Sequence, residues 1–267
     1  SLKYIPFNED GSLDLVDPDK YFTAKTKFVA VIHQSNVLGT INPVKDIVRM
    51  AHDVGAITLV DGAQWVPHGY TDIKEIDCDF YAFSGHKMLG PTGIGILYGK
   101  PELLEKMQPF QGGGEMIRSV TMEQATWNDI PYKFEAGTPN IAQAIGLGAA
   151  VKYIQGIGLD VIHNHGRDLT KYAIKKLTQM DSIKIHGNHY DRGPVISFEV
   201  PGVHPHDLAQ FLDQDGIAIR AGQLCAQPIM DKLGVFSTNR ASFYLYNNEQ
   251  DIDKFCESID KTTQIFA

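Results

Sequence analysis

The hydrophobic residues in the first half of the chain fall into short continuous runs, which alternate with a stretch of helical spacing. Residues 28–32 and 57–60 are two such runs, and between them apolar side chains recur at helical spacing over residues 44–51. Further runs follow at residues 80–83 and 95–98. Buried strands separated by helices are typical of a parallel sheet that is covered by helices on both faces.

The second half of the chain has the pattern of a smaller α/β unit. Two long helices are predicted over residues 140–157 and 159–180, joined at a glycine-containing break. We expect a large domain over residues 1–145 and a small C-terminal α/β domain over residues 146–267. Residues 112–129 carry glycines and partial alternation, which predicts a strand or an excursion from the sheet. Short strands and two helices are predicted after the long helices, with strands at residues 183–185, 195–198, 217–219 and 242–245 and helices near residues 205–215 and 249–265.

Charge and hydropathy exclude several classes of partner. The chain has 267 residues, with 24 basic and 32 acidic side chains, and its formal net charge is −8. This balance gives no attraction to nucleic-acid phosphates or to anionic lipid. The apolar runs are far shorter than the roughly 20 residues that cross a bilayer. We therefore expect neither a nucleic-acid partner nor a membrane partner.

The cysteine and histidine patterns indicate a reducing compartment and no metal site. The three cysteines, Cys78, Cys225 and Cys256, are odd in number and widely spaced, which argues against a disulfide framework. The first residues contain no apolar segment like that of a signal peptide, so we expect a cytoplasmic location. The histidine pairs at 163/165 and 204/206 have no third ligand nearby, and no bound metal is predicted.

Polar side chains follow three of the predicted strands at the point where each strand ends. Asp61 follows one strand, Asn36 lies shortly after another, and Ser84, His86 and Lys87 follow a third. Ligands of open parallel sheets bind at the carboxyl ends of strands, so these groups are candidates for a site. A lysine in this place is either an ordinary loop residue that reaches solvent or an amine that forms a Schiff base. Position alone leaves both readings open.

Five motifs together resemble a known enzyme family. Residues 35–39 (Ser-Asn-Val-Leu-Gly), 61–64 (Asp-Gly-Ala-Gln) and 83–93, which include Ser-Gly-His-Lys, resemble the class V aminotransferase group of fold-type I pyridoxal-phosphate enzymes. Residues 220–228 and 240–242 are similar to the cysteine desulfurase/selenocysteine lyase branch of the SUF iron–sulfur system. The resemblance covers essentially the whole chain, with the motifs in the family's order. It implies the α/β fold of fold-type I, with a mostly parallel sheet, helices on both faces and a smaller C-terminal domain.

The resemblance implies pyridoxal 5′-phosphate as the cofactor, with roles for four residues around its ring. Asp61 matches the carboxylate that keeps the ring nitrogen protonated. Gln64 and Asn36 match positions beside the ring hydroxyl, and Asn36 is also near the substrate. Lys87 matches the lysine that binds the cofactor as a Schiff base.

Four further residues match positions that bind the phosphate group and the substrate. Ser84 and His86 match residues that contact the phosphate, and Thr138 matches one that reaches the phosphate in the neighbouring subunit of a homodimer. Arg240 matches the guanidinium that binds the substrate carboxylate in a bidentate pair.

Cys225 determines which reaction the resemblance implies. It matches the nucleophile that takes sulfur from L-cysteine, becoming a persulfide as alanine is released. With L-selenocysteine as the substrate, the same residue would take selenium. An acceptor protein would then take the sulfur for iron–sulfur cluster assembly. Cys78 and Cys256 have the pattern of buried small hydrophobic residues. The SUF-type branch usually carries two histidines directly before the cysteine, where this chain has Gln223 and Leu224.

Two alternatives remain open from the sequence. One is a different class V pyridoxal enzyme, such as an aminotransferase or a kynureninase-like hydrolase, which needs no cysteine at position 225. The other is a non-catalytic fragment of a desulfurase, since the motifs begin as if the N-terminal third of the family's usual length were absent. That third would carry the helix start that binds the phosphate, so we expect the chain alone to bind the cofactor weakly and to be nearly inactive.

Overall fold

The first half of the chain forms a four-stranded sheet in the order β1-β2-β3-β4. The structure is a computed structural model that describes residues 1–266. Its strands are β1 (Phe28–Ile32), β2 (Ile57–Asp61), β3 (Phe80–Ser84) and β4 (Gly95–Gly99). The first three run parallel, whereas β4 is antiparallel to β3 because no crossover helix lies between them. The mostly parallel sheet predicted from the sequence is confirmed.

Helix α1 (Val44–Asp53) covers one face of this sheet and illustrates how the sequence specifies it. Its buried side chains, Val44, Ile47, Val48 and Ala51, recur at three- and four-residue intervals and therefore form one apolar stripe. The short helix α2 (Ile73–Ile76) follows β2, and Asp72 caps it by accepting hydrogen bonds from two backbone amides.

The opposite face of the first sheet is largely exposed within residues 1–266. Phe28 on β1 and Leu97 on β4 are each 54% exposed, and Ile32 is 38% exposed. The sequence predicts helices on both faces, whereas the described residues cover one face and leave the other largely exposed. Strand register places Asp61 on the exposed face, in line with Ile32. The face therefore combines apolar strand residues with a carboxylate at its end.

A hydrogen-bonded network closes the amino end of β3. The carboxylate of Asp79 accepts bonds from the backbone N (2.7 Å) and Oγ1 (2.9 Å) of Thr58, and its Oδ2 is 2.9 Å from His52 Nε2. Lys100 Nζ lies 3.3 Å from the other oxygen. Burial by itself raises the pKa of Asp79, but the bonds from His52 and Thr58 outweigh it and the pKa is lowered overall.

Asp79→Asn is expected to lower the free energy of unfolding by about 1–3 kcal/mol near pH 7, because the side chain loses its negative charge and an NH2 donor replaces one of its two acceptor oxygens. A carboxyl whose pKa is lowered in the folded chain contributes its full stabilisation of the fold above its unfolded pKa of about 4. This contribution is lost as the pH falls through the pKa that the carboxyl has in the folded chain. Urea midpoints should therefore differ near neutral pH and converge in acid. The exposed Asp46→Asn serves as the control. A difference between Asp79→Asn and the parent chain that is independent of pH would contradict this account.

Residues between the first sheet and the long helices form an exposed hairpin. After α3 (Pro101–Lys106), β5 (Ile117–Val120) pairs antiparallel with β6 (Ala125–Trp127), with a shift in register. The sequence predicts a strand or an excursion from the sheet here, and the structure shows a two-stranded hairpin. At its tip Met122 is 96% exposed.

The two long helices are confirmed as α4 (Ile141–Ile157) and α5 (Leu159–Leu177). Gly158, with φ 97°, separates them, and their axes differ by 74°. Within residues 1–266 no single helix is long and apolar enough to cross a membrane, whereas this bent pair passes the same length and composition criterion when taken together. Side chains of both helices pack against the first sheet's loops in a cluster with Met88 and Tyr244.

The second sheet has the order β7-β8-β10-β9 and is antiparallel throughout. Its strands are β7 (Lys184–His186), β8 (Val195–Glu199), β9 (Arg220–Gly222) and β10 (Thr238–Ser242). Helices α5, α6 (Pro205–Gln214) and α8 (Glu249–Phe266) enclose one core with it, and α7 (Gln227–Leu233) follows β9. Fully buried members of this core include Phe198, Leu208, Leu212, Ile252 and Ile259.

Two strand predictions in this half were wrong in position. The sequence predicted a strand over 217–219, whereas β9 starts at Arg220, and Ile217 and Ile219 pack against the core just before it. The run at 242–245 predicted another strand, but β10 ends at Ser242 and Tyr244 packs instead against α4 and α5. In both cases the apolar residues lie next to the strand. The residues that hydrogen-bond to the neighbouring strand are the more polar ones beside them.

Candidate active site

The parallel strands of the first sheet end side by side. Asp61 is paired in register with Ile32 on one side and with Ala82 on the other. Ser84 lies two residues after Ala82 on β3, and side chains two residues apart on a strand share a face. Since Ala82 is the partner of Asp61, Ser84 lies on the same exposed face as Asp61. The strand register thus places Asp61 and Ser84 on one face at this edge, where the sequence predicts that polar groups converge.

Asp61 keeps one carboxylate oxygen available. Its Oδ1 accepts a bond from Ala63 N at 2.8 Å, and its side chain makes no ion pair within the described residues. Gly62 makes the turn possible, because a Cβ at this position would overlap the ring of Tyr81. The carboxylate is therefore fixed by its own turn and is exposed at the strand end.

Lys87 lies on a single turn of 3-10 helix, Gly85–Met88, directly after β3. Met88 is buried and anchors the turn, and Gly90 N donates back to Gly85 O at 3.0 Å. His86 and Lys87 are exposed on this turn, and neither has an ion-pair partner among residues 1–266. The amine is thus presented to solvent three residues beyond the end of the strand.

His33 and Trp65 belong to this edge, although the sequence gave neither of them a role. The His33 ring stacks on Trp65 with centroids 4.5 Å apart, and its Nδ1 is 2.9 Å from Tyr81 Oη. Burial lowers the pKa of His33 to about 4, so the ring is neutral at physiological pH. The position of His33 directly after β1 was the available signal. Its contacts with Trp65 and Tyr81 connect the ends of β1 and β2 to the side chain of a β3 residue.

Cys225 lies on a tight turn of the second sheet. Ala226 N donates to Gln223 O at 2.9 Å, and the two central residues, Leu224 and Cys225, have φ values of 55° and 58°. The Cys225 side chain is exposed, whereas Leu224 is only 5% exposed. Cys78 is buried, as expected, and burial raises the pKa of its thiol to about 11. Cys225 is accordingly the accessible thiol of the described chain.

Arg240 and Asn36 connect this turn to the first half of the chain. Arg240 Nη1 donates to Asn36 O at 3.0 Å, and Asn36 Nδ2 donates to Leu224 O at 2.7 Å. Arg240 lies opposite Arg220 in the β9–β10 ladder, and neither guanidinium has a carboxylate partner within residues 1–266. Burial lowers the pKa of Arg240, and the nearby Arg220 lowers it further.

The Arg240 guanidinium also has an unused donor. Its Nε is buried and lacks a hydrogen-bond partner in the described residues. A partly buried cation with free donors and no carboxylate is an arrangement suited to an anionic ligand.

The remaining predicted residues are less closely connected. Gln64 is half-buried one residue before Trp65, and Thr138 is exposed after Gly137, whose φ is 79°. No hydrogen bond among residues 1–266 joins Thr138 to the other predicted site residues. The structure places Asp61, Ser84 and Lys87 at one edge of the first sheet, and hydrogen bonds join Arg240 and Asn36 to Leu224, the residue before Cys225. In the described residues no set of three or more histidine, cysteine, aspartate or glutamate side chains could hold a metal ion.

Comparison with protein families gives a match along most of the chain. The aminotransferase class-V family model matches residues 1–255. The chain belongs to the class V aminotransferase family. Its mixed α/β fold is the fold of that family's fold-type I members, as the sequence predicted.

Curated relatives in the class V aminotransferase family match over the full chain. A protein of Halalkalibacterium halodurans described as a probable cysteine desulfurase is 52% identical over 267 residues, which are 66% of its own length. A cysteine desulfurase of Haloferax volcanii is 51% identical and is covered to 63%. The chain spans just under two thirds of the length of these relatives.

Solved structures of the family agree with the fold. The apo structure of a cysteine desulfurase from Thermococcus onnurineus NA1 superposes with a TM-score of 0.95 at 40% identity, covering 99% of this chain and 66% of that one. An Escherichia coli cysteine desulfurase in its S-sulfonic acid form gives a TM-score of 0.93 at 37% identity, covering 98% and 65%.

Proposed function

We propose that this chain is part of a pyridoxal-phosphate-dependent cysteine desulfurase that takes sulfur from L-cysteine and releases alanine. The observation that carries the proposal is Cys225, an exposed thiol on a turn that Asn36 connects to the unpaired guanidinium of Arg240. The names of the relatives at 52% and 51% identity support it. An aminotransferase or a hydrolase of the same family has no use for a thiol in this place.

The residues at the sheet edge fit the cofactor. Pyridoxal phosphate needs a carboxylate for its ring nitrogen, an amine for covalent attachment and donors for its phosphate dianion. The free oxygen of Asp61, the exposed amine of Lys87, and Ser84 and His86 beside it supply these groups. When bound, the cofactor provides an electron sink for charge that develops on the substrate. Gln64 and the side chain of Asn36 would contact the ring hydroxyl.

The chain's own groups would then divide the reaction among them. Arg240 binds and orients the substrate carboxylate through its free donors, and the Lys87 amine removes the proton from the substrate Cα. The Cys225 thiolate attacks the substrate sulfur, so that an S–S bond forms and the substrate C–S bond breaks. The electron pair of the broken bond stays on the substrate carbon, which takes up a proton to give a methyl group, and the Lys87 ammonium returns a proton to Cα to give alanine.

The sulfur left on Cys225 as a persulfide would pass to a thiol of an acceptor protein for iron–sulfur cluster assembly. We further propose a cytoplasmic homodimer in which Thr138 of one copy reaches the phosphate bound to the other, because Thr138 is exposed and unengaged in the described chain. L-Selenocysteine, with the same carboxylate and a more easily attacked chalcogen, would be an alternative substrate.

Product stoichiometry tests the proposed reaction. With pyridoxal phosphate, L-cysteine and dithiothreitol, we expect alanine and sulfide in equal amounts. The assay should be run on this chain and on the chain joined to the part of the Halalkalibacterium halodurans relative that lies outside the match. We expect the joined protein to be the more active of the two. A keto acid in place of alanine would show an aminotransferase, and no product from either protein would show a non-catalytic chain.

A further inference from the structure

We infer that Asn36 and Leu224 are positioning residues for Cys225, which hold its turn in a backbone conformation that the turn's own residues disfavour. The inference rests on the proposed function for the role of Cys225 as nucleophile, whereas the geometry of the turn stands independently of it. Three features of the structure lead to it: the backbone of the turn, the contacts that restrain it and the connection of those contacts to Arg240.

The backbone of the turn is locally unfavourable. A four-residue turn with positive φ at both central positions is normally built from glycine, asparagine or aspartate, because a Cβ crowds the left-handed region. Here the central residues are Leu224 at φ 55° and Cys225 at φ 58°. Neither side chain relieves the crowding by a local hydrogen bond of the kind asparagine makes. Contacts from outside the turn must therefore maintain this conformation.

Two contacts restrain the turn, a hydrogen bond from the segment after β1 and an apolar cluster that this segment shares with α7. Asn36 Nδ2 donates to the carbonyl of Leu224 at 2.7 Å, across 188 positions of sequence. The Leu224 side chain is buried in a small apolar cluster with Val37, Leu38 and Met230. The carbonyl of Leu224 is thus bonded to Asn36, its side chain packs on Val37, Leu38 and Met230, and the next residue is Cys225.

Asn36, which restrains the turn, is also hydrogen-bonded to Arg240, the candidate anion site. Arg240 Nη1 donates to the backbone carbonyl of Asn36 at 3.0 Å, so Arg240, Asn36 and Leu224 form one chain of hydrogen bonds that ends beside the thiol. Because the free donors of Arg240 and the Cys225 turn are fixed to one residue, the distance between anion and nucleophile is set through Asn36. This defines Asn36 as a positioning residue in addition to any contact with a ligand.

Amide hydrogen exchange of the cofactor-free chain tests the inference without any turnover. Asn36→Asp keeps the shape of the side chain but replaces the donor to Leu224 O by an oxygen. We expect exchange at the Ala226 amide, which closes the turn onto Gln223 O, to rise about threefold to tenfold. Asn128→Asp is the matched control, since it loses a similar Nδ2 bond to Glu115 O at 2.9 Å far along the chain.

Leu224 provides a second, independent pair of variants. Leu224→Ala should raise exchange at Ala226 in the same way, whereas Leu224→Met, which refills the cluster, should restore protection. Exchange at the amides of β8 reports on global unfolding and should stay unchanged. If Asn36→Asp raises exchange in β8 as well, the comparison of Leu224→Ala with Leu224→Met decides whether the turn is restrained as inferred. The rate of Cys225 alkylation by iodoacetamide should change in the same variants and not in Asn128→Asp.

Unchanged exchange at Ala226 in both Asn36→Asp and Leu224→Ala would overturn the inference. So would a parent chain whose Ala226 amide exchanges as fast as that of an unstructured peptide. These results do not depend on alanine or sulfide production, so a failure of the proposed reaction and a failure of this inference are separately visible.

Discussion

Replacing Cys225 by alanine is expected to reduce sulfur release from L-cysteine by at least about a hundredfold, because the nucleophile that takes the sulfur is lost. Cofactor binding should be unchanged, since Asp61, Ser84 and Lys87 lie at the edge of the first sheet and make no hydrogen bond to Cys225 in the described residues. Cys256→Ala is the matched control, because Cys256 is buried in the core of the second half and burial raises its pKa to about 11. Sulfide and alanine are measured for both variants and for the parent chain.

Normal turnover in Cys225→Ala would show that the thiol has no part in the chemistry. An equal loss in Cys256→Ala would show that the effect arises from packing. Retention of the cofactor's visible absorbance in Cys225→Ala separates the loss of the nucleophile from a loss of the binding site.

Replacing Lys87 by alanine is expected to abolish covalent attachment of pyridoxal phosphate. Among residues 1–266, Lys87 is the lysine directly after β3 at this edge, and alanine offers no nitrogen in its place. Borohydride reduction followed by peptide mapping measures the attachment, which should be found on Lys87 in the parent chain and be absent from the variant. Lys106→Ala, an exposed residue of α3, is the control and should leave the label in place.

A labelled peptide other than the one with Lys87, in either protein, would mean that the lysine at the end of β3 was assigned wrongly. Equal noncovalent affinity in the Lys87→Ala variant is compatible with the proposal, since Asp61, Ser84 and His86 remain. The reduced, covalent product is therefore the decisive readout.

The sequence was sufficient for the first sheet and for the strand-end residues. Continuous apolar runs there coincide with β1 to β4, and the rule that parallel strands place their ends together predicted the grouping of Asp61, Ser84 and Lys87. In the second half the same method misplaced two strands. Ile217 and Tyr244 are apolar because they fill cores beside the ladder, and hydrophobicity alone does not reveal which neighbours pair.

The contacts around Cys225 could not be predicted, because they join residues that are far apart in sequence. The bond from Asn36 to Leu224 spans 188 positions, and the stacking of His33 on Trp65 needs two loops to meet. From the sequence, Leu224 is only a departure from the pair of histidines that the resemblance to the SUF-type branch implies before the cysteine. Its burial against Val37 gives that departure a physical meaning, since an apolar side chain anchors the turn in this chain.

The identity of the sulfur-carrying residue tests the central claim most directly. After brief incubation of the cofactor-loaded protein with L-cysteine and no added thiol, the peptides with Cys78, Cys225 and Cys256 are compared by mass spectrometry. We expect the Cys225 peptide alone to gain the mass of one sulfur atom and to lose it again on treatment with dithiothreitol. Alanine formation with no added sulfur on Cys225, or with the sulfur on either of the buried cysteines, would contradict the proposed reaction.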